Sequence, residues 1–285
     1  MSLPVIVFRG TVADHNERAT AASSLLGDVI ARRLGSTPIS IGEPRPVRSA
    51  GWASALDSAG PDLIELARVV DDVWSAGERP ILALSRNAAA IATLPVFARH
   101  HPGAVMVWIG ADTSLHTPIT TRTGYLGGMV LAAATGLWNS PFGAGLPLSH
   151  IAFCGTRDTE PVEELLIEAG VVAHVHRPGD PVQDLEDAIA GRPVFIHFAC
   201  DALEPGLVPT DYTVAGGYSL TQLSALLDIL AAHDVLGVEI TELEVPKSGS
   251  AADDLALITD LLWPVIVRCA EASPAAEAEL SSREP

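Results

Sequence analysis

Basic residues are scarce in this chain, where 17 Lys and Arg stand against 35 Asp and Glu to give a formal net charge of −18 over 285 residues. Such a balance repels phosphate backbones, so nucleic acid is not an expected partner. Cysteine is almost absent too. Cys154, Cys200 and Cys269 form no Cys-x-x-Cys pair, so no disulfide frame is expected and a reducing, intracellular setting suits the chain. No apolar run approaches the ~20 residues that a membrane-spanning helix needs. The opening run, residues 4–8, soon meets Arg9 and Gly10 rather than a small-residue cleavage site. A soluble, cytoplasmic protein without membrane contact is the expectation. Several catalytic signatures are missing as well. There is no P-loop, no G-x-S-x-G elbow and no H-E-x-x-H, and Gly124, Gly127 and Gly128 lack the dinucleotide spacing.

What the chain does contain is a regular alternation. Buried-type strands, apolar and rich in β-branched residues, are expected at 4–8, 38–41, 81–84, 104–109, 151–154, 171–176, 194–200 and 235–240. Between them, apolar residues at helical spacing predict helices over 16–34, 62–76, 88–99, 128–135, 161–169, 185–190 and 221–232, with a last helix over 252–270. Uninterrupted apolar strands alternating with helices mean a parallel sheet covered on both faces. The length is ordinary for one α/β domain, here residues 1–273. The polar, Ser- and Glu-rich stretch 274–285 reads as a frayed tail.

The stretch 105–128 is where a site is expected. A hydrophobic run stops there and becomes a polar loop full of Thr and Gly, and the carboxyl ends of parallel strands open into the crevice where ligands bind. Glu242 makes a similar point, because an acidic group at the end of an apolar strand needs a partner.

The motifs in these places resemble those of the arginase/agmatinase (ureohydrolase) family. HTPITTRTGYLGG at 116–128 resembles that family's N-T-P-x-T-T-x-S-G-N-x-H-G loop, which follows a metal-binding D-A-H-T-D. NAAAIATL at 87–94 resembles the helix after G-G-D-H-S, and CGTRDTE at 154–160 resembles G-x-R-D-x-D. FACDALEPGLVPTDYTVAGG at 198–217 is similar to the S-F-D-x-D segment and its Gly-Gly sequel, and residues 237–243 to the Glu-bearing strand end. The resemblance implies a three-layer α-β-α fold around about eight mainly parallel strands.

The resemblance also implies two Mn²⁺ held by six side chains, and those positions fall on Asn87, Gly110, Asp112, Ser114, Ala199 and Asp201. Only Asp201 keeps the family's identity. Two divalent cations need several anionic ligands to offset repulsion and dehydration, so no cofactor is expected. The alternative is one weakly held Mn²⁺ or Mg²⁺ on Asp112 and Asp201, with Asn87 or Ser114 nearby. The family's reaction needs water whose pKa falls from 15.7 to about 7 on a metal.

Other family positions survive unevenly. The proton-shuttling His falls on Gly127, and the substrate-binding Asn and Ser fall on His116 and Thr123. Glu242 matches the Glu that grips the guanidinium, and Asp158 and Glu160 match the acidic pair facing the substrate's amino end. The expected ligand is therefore a small cationic or polar molecule, an amine, amidine or guanidine, in a pocket lined by Asp112, Asp201, Glu242 and Asp158. His116 reads either as a base beside Asp112 or as a loop hydrogen-bonder, and a Ser114, His116, Asp201 arrangement carries no spacing signature. His197 and Cys200 read as core residues, and His100 and His101 as partners of a helix's negative pole. His174 and His176 receive no role. Two functions compete: a binding protein that has lost amidine hydrolysis, and an active C-N hydrolase using one weak metal or Asp112, His116 and Glu242 without metal. A structural role in a homo-oligomer, the assembly common in the family, is the third.

Overall fold

The computed structural model describes residues 3–48, 50–175 and 181–271. The expectations for His176 and for the tail 274–285 lie outside them. The strands are β1 (Val5–Phe8), β2 (Ile39–Ile41), β3 (Ile81–Ala83), β4 (Val105–Ile109), β5 (Ile151–Cys154), β6 (Ala173–Val175), β7 (Val194–Ala199) and β8 (Val235–Thr241). They form one sheet in the order β2-β1-β3-β8-β7-β4-β5-β6, with every pairing parallel. The α-helices among the described residues are α1 (Arg18–Leu34), α2 (Trp52–Ser75), α3 (Ala90–His100), α4 (Val130–Ala134), α5 (Pro161–Glu168), α6 (Pro181–Ile189), α7 (Leu220–Ala232) and α8 (Ala252–Glu271).

Because side chains alternate across a strand, each strand feeds two cores. Ile6, Phe8, Met106, Trp108, Phe153 and Phe195 face one side with α2, α3 and α4. Val5, Val7, Val107, Ile109, Ile196 and Phe198 face the other with α1, α7 and α8. Burial on both faces explains why these strands are apolar throughout rather than alternating.

Three expectations about elements need correction. α2 begins at Trp52 rather than at 62, and Pro61 lies inside it. Proline suggests a helix start because it lacks an N–H, yet burying Ala55, Leu56 and Ala59 carries the helix upstream of it. The helix expected from 128 is a 3₁₀ turn, Leu126–Met129, followed by the short α4. Cys200 belongs to a 3₁₀ turn after β7 rather than to the strand.

The strand order positions the site. Five neighbours, β3-β8-β7-β4-β5, end on one edge, and their carboxyl ends lead into Asn87, Glu242, Asp201, Asp112 and Asp158 respectively. β3 and β4 are consecutive in sequence yet stand apart in the sheet with β8 and β7 between them. A change of direction of that kind opens a crevice at the carboxyl ends.

Candidate functional site

The loop after β4 is fastened at several points. Trp108 Nε1 donates to the Asp112 carbonyl (3.0 Å), and the N–H groups of Arg157 and Asp158 donate to the Ala111 carbonyl (2.9 and 3.1 Å). Ser114 takes up the left-handed conformation (φ 50°), and its carbonyl accepts from Leu131 and Ala132 at the start of α4. These bonds turn the Asp112 and Ser114 side chains towards each other, with Ser114 Oγ donating to Asp112 Oδ1 at 2.8 Å. Asp201 Oδ1 accepts from the Ala111 N–H at 3.0 Å.

All nine side chains expected at the site line one cavity of about 510 Å³: Asn87, Asp112, Ser114, His116, Thr123, Asp158, Glu160, Asp201 and Glu242. His15, Tyr125, Glu163, Asp211 and Tyr212 line it as well. His15 Nδ1 pairs with Asp211 at 2.7 Å, and the Tyr212 hydroxyl donates to Asp158. The Thr113 hydroxyl donates to Glu163. His116 does not pair with Asp112; its Nε2 lies 3.8 Å from Glu163 and 3.9 Å from Glu160, and its backbone N–H binds the Gly128 carbonyl. Ser114 and Asp201 likewise bond elsewhere than to His116, so the described residues carry no Ser114, His116, Asp201 relay.

Glu242 has the partner its position requires, but the partner is internal. Arg86, only 1% exposed, donates through Nη1 to Glu242 Oε2 (2.9 Å), through Nη2 to Glu244 Oε1 (2.6 Å) and through Nε to Asp14 Oδ1 (3.3 Å). The Asn87 N–H donates to Glu242 Oε1 at 2.7 Å. Both oxygens of the carboxylate that resemblance assigns to a substrate guanidinium are thus engaged by the protein. Arg18 also binds Glu244, so two guanidinium groups serve three buried acids. The sequence did carry a signal for Arg86: it stands where the family motif has the Asp of G-G-D-H-S, beside an apolar strand that would bury it.

A second group lies behind Asn87. His197 stacks on Trp108, with ring centres 3.6 Å apart and planes 2° apart. Its Nδ1 faces Glu239 Oε1 at 2.7 Å and its Nε2 faces Asn87 Oδ1 at 3.0 Å, while the Thr241 hydroxyl donates to the same Asn87 oxygen at 2.6 Å. His197 is indeed enclosed in the core, but as a link in a polar chain rather than as simple packing. His101 departs from expectation. Burial, with the neighbouring His100 charge adding, pushes its pKa down to about 4, so it is neutral near pH 7 and offers no charge to the helix end.

Gly127, where the family's proton-shuttling His falls, has no room for a side chain. A Cβ there would lie 2.4 Å from Tyr125 Cε1. Tyr125 fills that space, and burial holds its phenol well above the usual pKa, with the Glu242 charge adding.

The electrostatics follow from enclosing acids together. Burial pushes Asp112 up to about 7, against the Ser114 hydrogen bond, with the Glu242 and Glu163 charges adding. Burial also holds Asp201 well above the carboxylate range, with Glu242 and Asp112 reinforcing it. A bound cation would relieve both.

The side chains do not fit a two-manganese centre. Gly110 and Ala199 offer no ligand atom, the Asn87 oxygen is taken by His197 and Thr241, and the Ser114 hydroxyl is turned to Asp112. Among the described residues no three His, Cys, Asp or Glu are grouped to hold an ion.

Comparison with known proteins agrees with the architecture. The sequence matches the Arginase family over residues 34–266. It is 36% identical over 265 residues to the N(omega)-hydroxy-L-arginine amidinohydrolase of Streptomyces lavendulae, covering 92% of this chain and 96% of that one. The fold is similar to that of Bacillus subtilis arginase, with a TM-score of 0.76 at 18% identity over 93% of this chain and 98% of the other. Bacillus caldovelox arginase superposes with a TM-score of 0.74 at 21% identity, over 92% and 98%. With the eight-stranded parallel sheet and a near-full-length amidinohydrolase relative, the chain belongs to the arginase family.

Proposed function

We propose that the cavity binds a small organic cation, an amine or guanidine, without the two-manganese hydrolysis that the resemblance implies. One observation carries this reading: of the 17 residues lining the cavity, seven are Asp or Glu and none is Lys or Arg. A low-dielectric cleft of one sign attracts the opposite charge and discriminates against anions. Acids that can face a cation line the cavity, while the side chains that the resemblance assigns to two ions are mostly replaced.

A second reading is favoured by the 36% identity to a named amidinohydrolase over nearly the whole chain. In it, the protein cleaves a C-N bond of an amidine, either with one weakly held cation at Asp112 and Asp201 or with Asp112, His116 and Glu242 acting as acid and base. Against it stand the capture of Glu242 by Arg86 and the pairing of His116 with Glu160 and Glu163 rather than with Asp112.

Calorimetric titration with arginine, agmatine and simple diamines, alongside an assay for release of urea or hydroxyurea with excess Mn²⁺, separates the two. Binding without turnover is the expected result. Turnover establishes the second reading, and absence of both heat and turnover overturns both.

A further inference from the structure

The cavity floor carries three acids at the ends of β8, β7 and β4, and the bonds already made leave them unequal. Both oxygens of Glu242 already accept from the protein, Oε1 from the Asn87 N–H (2.7 Å) and Oε2 from Arg86 Nη1 (2.9 Å). Asp112 accepts from Ser114 through Oδ1 (2.8 Å), and Asp201 accepts from the Ala111 N–H through Oδ1 (3.0 Å). Asp112 takes a backbone hydrogen bond from Ser114 as well, whereas no hydrogen bond from the described residues reaches Oδ2 of Asp201, which lines the cavity. Asp201 is 4% exposed, so this half-satisfied acid is enclosed except for the opening it lines.

Cations differ in what they ask of such a floor. A guanidinium is planar and binds best as a fork, with two parallel N–H groups meeting both oxygens of one carboxylate. On each acid of the floor at least one oxygen already accepts from the protein, so a fork would have to share its acceptor. Arg86 already makes the nearest equivalent bond to Glu242 from within the protein, and its fixed positive charge repels a second guanidinium seeking the same group. A primary ammonium is a compact charge with three donors arranged around one nitrogen. Single oxygens from separate carboxylates suit it.

We infer that the floor of this cavity selects a primary ammonium over a guanidinium, so that the ligand class is an alkyl amine or diamine. The inference rests on the cationic-ligand reading above and narrows it. Asp112 and Asp201 each contribute one oxygen, and Glu242, held by Arg86, supplies field without direct contact.

Titration calorimetry on the full chain with pairs of matched length tests it: 1,5-diaminopentane against agmatine, and lysine against arginine. The ammonium member of each pair is expected to bind at least about tenfold more tightly, the scale of one charge-assisted hydrogen bond. Asp201→Asn, nearly isosteric, is expected to weaken the diamine by about tenfold and to affect agmatine less, because it removes an acid that can ionise against the ammonium. Equal or tighter guanidine binding, or an unchanged diamine affinity in Asp201→Asn, overturns the selectivity and leaves the cationic-ligand reading standing. Failure of every amine and guanidine to bind overturns that reading as well.

Discussion

Arg86→Met isolates the ion cluster beneath the cavity. The guanidinium it removes is 1% exposed and touches Asp14, Glu242 and Glu244, themselves 2%, 3% and 2% exposed. Glu244 keeps Arg18 and Asn16, and Glu242 keeps the Asn87 N–H. Among the described residues Asp14 keeps only the Val12 N–H, at 2.8 Å. Removing one partner of a buried pair costs about 3–5 kcal/mol, because the other charge stays enclosed. At roughly 2–4 °C per kcal/mol for a domain of this order, the melting temperature at pH 8 should fall by about 10 °C.

The pH dependence sharpens this prediction. Burial raises Asp14 from its ordinary 3.8 to about 6 even with Arg86 pulling it down. A raised carboxylate contributes stability that is complete below 3.8 and disappears as pH climbs through the folded value. Without Arg86 that value rises further, so the gap between wild type and variant should widen from pH 5 to pH 8. Thermal melts followed by far-ultraviolet circular dichroism at both values provide the assay, with Arg68→Met on an exposed α2 pair as the control that should not shift. An unshifted melting temperature for Arg86→Met at pH 8, or a gap that narrows with rising pH, would refute the reasoning.

Three further outcomes are expected. Wild type should melt highest in mild acid and lose stability towards pH 8, since Asp14, Asp112 and Asp201 all have raised folded values, at about 6, about 7 and well above 3.8; a maximum at pH 8 in a melting series would contradict this. Exhaustive treatment with EDTA should leave the melting temperature unchanged, because Arg86 and hydrogen bonds hold the floor; a drop of several degrees would reveal an ion coupled to folding. Gly217→Ala should lower the denaturant midpoint by the equivalent of about 1–3 kcal/mol or more, since a Cβ there lies 2.2 Å from the Leu203 backbone; wild-type stability in that variant would discredit the close approach of the two segments.

Sequence alone determined the layers and the strand ends that open into the cavity. Strands buried on both faces must be apolar throughout, so Ile6–Phe8-type runs announce a covered parallel sheet, and a polar break at the end of such a run marks a crevice. The motif positions Asn87, Asp112, Ser114, His116, Thr123, Asp158, Glu160, Asp201 and Glu242 all line one cavity. Local patterning could not reveal which strands are neighbours, because order depends on how helices cover the sheet. Nor could it reveal that α2 runs through Pro61, where burial outweighs a missing hydrogen bond.

The chemistry of the floor was decided only in three dimensions. Arg86 and Glu242 are 156 residues apart, and His197 and Asn87 are 110 apart. Such pairs leave no local periodicity, yet they determine which oxygens remain for a ligand. A sequence lists the acids that can face a cavity. The hydrogen bonds those acids already make, set by the packing of distant segments, decide what they can still bind.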